Sequence, residues 1–95
     1  MTLEEMIVLF ESDEDFSEFE KVENPLYPRA DICAFLLLDK LLPGGTRDMI
    51  TSAEHDQIWL DVDCEKLAEV ITEEDVRTLR RCGVMYDADS LSMFV

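Results

Sequence analysis

The segment 29–42 constrains this chain most. Ile32, Cys33, Phe35, Leu36, Leu37, Leu38, Leu41 and Leu42 place apolar side chains on nearly every side of a helix. A helix that is apolar all round belongs at the centre of a core. Pro28 ahead of it suits a first helical turn, and Pro43-Gly44-Gly45 stops it. The longest unbroken apolar run, Ala34–Leu38, is far short of the roughly 18 residues that span a bilayer. The other elements must therefore fold around this one.

Their patterns are short and mixed. Thr2, with Glu5 three residues on, forms a capping-box pattern. Leu3, Met6, Ile7 and Phe10 then follow helical spacing, predicting a helix over 2–11. Met6–Phe10 also reads as a buried strand. Residues 12–24, with Phe16 and Phe19 between acids, admit two readings, a second acidic helix or a mobile segment. Asp48–Ala53 is a candidate strand. Gln57–Asp63 alternates, with Ile58, Leu60 and Val62 on one side and Trp59, Asp61 and Asp63 on the other, as in a half-buried strand. Asp63 can cap a helix over 64–71. Thr72 and Asp75 resemble a second capping box, opening a helix over 73–82 that Gly83 closes. Val84-Met85-Tyr86 and Leu91–Val95 flank a turn at Asp87-Ala88-Asp89-Ser90 and read as a hairpin.

The expected fold is thus α+β. A small antiparallel sheet, made of 57–62, the C-terminal hairpin and the candidate strand 48–53, packs against the apolar helix 29–42 and the short helices 64–71 and 73–82. Ninety-five residues make one domain, 1–95.

Charge sets the functional expectation. Asp and Glu number 23 against 8 Lys and Arg, a net charge of −15. Solubility asks only for a magnitude of about 2–8, and self-repulsion on this scale opposes folding. Hydrophobic residues still make up 47 %, which separates this chain from acidic disordered tails. The excess is uneven: residues 1–24 hold nine acids and one base. The run Glu11, Asp13, Glu14, Asp15, Glu18, Glu20 and Glu23 is the most functional-looking feature. As a helix rising about 1.5 Å per residue, it would present charge at a spacing comparable with duplex DNA, which carries one charge per about 1.7 Å. Such carboxylates can occupy Lys and Arg sites meant for phosphates. The blander reading is a solvated face or tail.

From about residue 30 onward the chain resembles short acidic proteins of tailed bacteriophages and prophages. The resemblance rests on Asp48-Met49-Ile50, Glu54-His55-Asp56, Ile58, Leu60, Val62-Asp63, Leu67-Ala68, Thr72-Glu73-Glu74-Asp75, Leu79, Cys82-Gly83-Val84, Tyr86-Asp87, Leu91 and Met93-Phe94. It implies a phage protein acting in the host cytoplasm, of the kind that inhibits host nucleic-acid machinery. Anti-restriction, anti-CRISPR and transcription-directed roles are the examples.

The expected function is non-enzymatic: inhibition of a host nucleic-acid-handling protein through its basic surface, by mimicry of DNA charge. The expected partner-binding residues are Glu11, Asp13, Glu14, Asp15, Glu18, Glu20, Trp59, Asp61 and Asp63. Trp59 is an interface anchor if exposed, and core if the sheet is covered on both faces. Direct nucleic-acid binding is not expected, because Arg77, Arg80 and Arg81 form the sole basic cluster amid acid. Neutralisation of nearby acids, including a Glu73–Arg77 helical pair, is the plainer role for these arginines. Anionic membranes repel such a chain. No basic stretch precedes an apolar one at the N-terminus, so a signal peptide is not expected. The chain is expected to be a monomer or homodimer without cofactor.

An enzymatic alternative is a small metal-dependent hydrolase centred on His55, Asp56, Asp61 and Asp63, since imidazole and carboxylates are competent metal ligands. A virion structural or assembly protein is a third class. Asp87-Ala88-Asp89-Ser90 begins like a calcium loop but lacks its Gly and terminal Glu. Cys33, Cys64 and Cys82 show no CxxC spacing and sit among apolar neighbours. They are expected to be buried free thiols.

Overall fold

The computed structural model describes residues 1–95. Helix α1, Leu3–Phe10, starts at the expected box: the Thr2 side chain accepts from the Glu5 N–H, and the Glu5 carboxylate accepts from the Thr2 N–H. Met6 and Phe10 are its buried residues, so the helical spacing prevails over the strand reading. A single 3-10 turn at Phe19–Lys21 follows, then α2 at Ala30–Leu41. Pro28 lies ahead of the N-cap Arg29 and outside the helix. Strands β1, Ile50–Glu54, and β2, Gln57–Leu60, form one hairpin. Helices α3, Cys64–Val70, and α4, Glu73–Arg81, lead into the second hairpin, β3, Val84–Asp87, and β4, Ser90–Phe94. Asp63 caps α3 through the Lys66 N–H. Thr72 and Asp75 complete the box on α4, and Gly83 takes the left-handed conformation just past the α4 cap.

The sheet is antiparallel throughout, in the order β1-β2-β4-β3. Ile58, Leu60, Val84, Leu91 and Met93 alternate onto one face and join all four helices in a core of 18 buried residues. This is the expected α+β architecture. None of those core residues comes from the opposite face, which carries Gln57, Trp59, Met85 and Ser92. β2 stops at Leu60, short of the expected 62, because Asp61-Val62-Asp63 leave the ladder to reach the cap of α3. β1 is an edge with every residue exposed. No helix is long and apolar enough to cross a membrane.

One expectation needs correction, and one of two open readings falls away. α2 is central, but it is not buried all round. Cys33, Ala34, Leu37 and Leu38 are buried, whereas Leu36 is 43 % exposed and Ile32 and Phe35 are half-buried. A helix lying on one side of a sheet has only one covered stripe, and here its back is open. Residues 12–24 form no second helix apart from the 3-10 turn. Asp15, Ser17 and Asn24 adopt positive φ, a conformation that single Asp and Asn residues tolerate and that helices exclude.

Candidate partner-binding surface

The acidic segment is held against α4 by the three arginines. Arg80, 7 % exposed as a residue, donates from its guanidinium to the Ser12 carbonyl and, at 3.3 Å, to the Glu14 carbonyl. Its own carbonyl accepts from the Ser17 N–H at 3.0 Å. The guanidinium also lies 5.1 Å from the Phe16 ring centroid, within cation–π range. Burial pushes the Arg80 pKa down, and nearby Asp13 and Asp15 push it back up. Arg81 reaches Asp15 at 3.2 Å and the Lys21 carbonyl at 3.4 Å; Arg77 reaches Asp15 at 3.6 Å. The expected Glu73–Arg77 pair is replaced by Glu74–Arg77 at 2.6 Å, since Arg77 must also turn toward Asp15. These cations neutralise and tether the segment, as the plainer reading of the basic cluster has it.

The tether divides the acidic run. Asp15 is half-buried and spent on Arg77 and Arg81, and Glu18 pairs with Lys21. Glu11, Asp13, Glu14, Glu20 and Glu23 remain exposed and without ion-pair partners. Because the segment is looped, its charges do not follow the linear helical spacing expected from the sequence. They gain neighbours instead. Glu4 and Glu5 of α1 share a shallow groove with Glu73 of α4. Glu73 also borders the adjoining depression lined by Glu14 and Asp15. Ser12 continues that surface to Glu11 and Asp13. The result is a largely acidic face across α1, the looped segment and α4, which Arg77 and Arg80 also line. Sequence reasoning missed Glu4, Glu5 and Glu73; the α1–α4 packing that adds them is a long-range contact with no local signal.

The remaining expected residues lie elsewhere. Asp61 pairs with Arg47 at 2.7 Å and borders Leu38, Asp39 and Leu42 at the end of α2. Asp63 is the α3 cap, its Oδ1 accepting from Lys66 N at 3.2 Å. Trp59 is half-buried on the sheet face outside the core, opposite Ser92, and its indole N–H is buried without an acceptor. It is neither a core residue nor a fully exposed anchor.

His55 and Asp56 form the β1–β2 turn, with His55 at φ 56°. All of β2 separates them from Asp61, a span of roughly 16 Å at about 3.3 Å per residue. No three His, Cys, Asp or Glu side chains come together as a metal would require. The four residues of the hydrolase alternative are thus dispersed, and they offer no shared centre.

Asp87-Ala88-Asp89-Ser90 is the β3–β4 turn, and Asp87 and Asp89 bond to Gln57 and Tyr86. Cys33, Cys64 and Cys82 are free and buried as expected. Burial pushes the Cys82 thiol up to about 12, and a hydrogen bond with Cys33 adds to it. Such a thiol is unsuited to nucleophilic chemistry.

Comparison with protein-family models, curated proteins and solved structures found no match.

Proposed function

We propose that this chain is a non-enzymatic acidic protein of bacteriophage type. In this reading it inhibits a host nucleic-acid-handling protein by covering its basic surface in the host cytoplasm. One observation carries the reading. Of 23 carboxylates, four (Asp15, Glu18, Asp61 and Glu74) make ion pairs, leaving nineteen unpaired. Six of them, Glu4, Glu5, Glu11, Asp13, Glu14 and Glu73, share one face. A surface that concentrates one sign of charge, with little of it spent on ion pairs, is suited to steering toward and docking on the opposite sign.

The test is capture of partners from a bacterial lysate, followed by affinity measurements on the partner found. That partner should be a basic, nucleic-acid-binding protein. Glu11→Gln, Asp13→Asn, Glu14→Gln and Glu73→Gln together should weaken binding roughly fourfold or more, since each exposed contact contributes about 0.2–1 kcal/mol. Affinity should also fall as salt rises. An affinity indifferent to both the substitutions and the salt would overturn the charge-based reading.

A further inference from the structure

The open back of α2 borders a second surface of different character. Between the start of α2 and the strands β1, β2 and β4 runs a cleft of about 500 Å³. Phe35, Ile50, Ile58, Met93, Phe94 and Val95 line it, and Asp31 is its one charged lining residue. Ile58 and Met93 form a floor continuous with the core, while Ile50 is 44 % exposed, Phe94 57 % and Val95 75 %. A contiguous apolar recess rimmed by polar residues marks an interaction site more often than singly scattered apolar residues do. Its volume falls in the range of small-ligand clefts and leaves ample room for a large side chain.

Charge selects the occupant. Asp31 lines the cleft, Glu54 belongs to β1, one wall of it, and Asp48 and Asp56 flank that strand, against Arg29 at the N-cap of α2. A second copy of the chain would bring another charge of −15 against it. A basic segment suffers no such repulsion. Strand addition is a weaker way to bind here, because the bulge between Ile50 and Ser52 breaks the regular edge of β1. The contact is then carried by side-chain burial.

We infer that the cleft seats an apolar side chain presented by a basic segment of the partner protein, as a hydrophobic anchor apart from the acidic face. This rests on the reading of the partner as basic.

Two lysine-rich probe peptides of equal charge test it, one with a central Phe-Leu pair and the other with Ser-Ser in its place. The Phe-Leu peptide should bind at least about tenfold more tightly, as burial of one large apolar side chain implies. Its amide shift changes should centre on Phe35, Ile50 and Phe94. Ile50→Ser and Phe94→Ser should each abolish most of the difference while leaving the Ser-Ser peptide unaffected. Both positions are exposed, and circular dichroism checks that the variants fold. Equal affinity for the two peptides, or shifts confined to the acidic face, would overturn the cleft proposal and leave the charge reading standing. Failure of both peptides to bind would overturn both. Self-association that Ile50→Ser removes would assign the cleft to a second copy and overturn the proposal.

Discussion

Arg80 shows how one side chain can decide the state of a whole segment. Its guanidinium satisfies two carbonyls of a stretch that has no regular backbone pairing. Ser12 is half-buried and Glu14 exposed, and hydrogen bonds from a charged donor contribute about 1.5–3 kcal/mol. Arg80→Met keeps the apolar stem and removes the donors. We expect it to lower stability by about 2 kcal/mol in urea unfolding and to speed amide exchange selectively over residues 12–17. Uniform acceleration across the molecule would show that Arg80 supports the core and not the segment. Arg80 also explains a limit of the sequence. Three arginines on a helix are visible, but which acids they hold depends on contacts 66–68 residues apart. A further residue-scale expectation concerns Cys82. With its thiol pushed up to about 12, a thiol-reactive disulfide reagent at pH 8 should label it far more slowly in the native protein than in urea. Comparable rates would contradict its burial.

At the scale of elements, local chemistry was legible and tertiary choice was not. Thr2/Glu5, Asp63 and Thr72/Asp75 each mark a helix start because caps are set by residues three apart. Strand alternation gave Ile58 and Leu60 their inward face. The exposed back of α2 was not legible, since composition around a helix does not say how many sides its neighbours cover. Nor was the acidic face, which needs α1 against α4.

The caps carry a pH expectation. Hydrogen bonds from the Thr2 backbone and side chain lower the Glu5 pKa below its ordinary 4.5. A carboxylate depressed in the folded state contributes stability above its unfolded pKa and loses it as pH falls through the folded value. The Glu5 side chain should therefore titrate below 4.5 by NMR, and Thr2→Ala should return it toward that value. An unchanged midpoint in the variant would assign the shift to the Thr2 backbone N–H, which the substitution keeps, and a native titration at or above 4.5 would contradict the cap as the cause. The β3–β4 turn offers a stabilising change. Ala88 and Asp89 both sit at positive φ, 52° and 61°, as the two-residue hairpin turn requires. A side chain in that region costs about 1–2 kcal/mol, so Ala88→Gly should raise the midpoint of urea unfolding. A lower midpoint would mean that chain entropy outweighs the relieved strain.

For the whole molecule, the question is what nineteen unpaired carboxylates do to a body with principal extents of 29 × 29 × 25 Å. Few of them lie further from a neighbour than the Debye length of about 30 Å at 0.01 M salt, and that length shrinks to about 8 Å at 0.15 M. Salt should therefore screen repulsion across the surface. It should also weaken the exposed ion pairs, but those are few and each contributes less than about 1 kcal/mol. Repulsion should win, and the melting temperature should rise between about 0.01 and 0.5 M NaCl. In a domain of this size each 1 kcal/mol moves it by roughly 4–8 °C. The variant with Glu11, Asp13, Glu14 and Glu73 neutralised should melt higher at low salt and respond less to added salt, because it removes four like charges from one face. The same four substitutions should weaken partner binding. Opposite signs for folding and binding are what a functional charge excess requires. If neutralisation lowers the melting temperature at low salt, these carboxylates are stabilising the fold, and their accumulation on one face needs no partner to explain it.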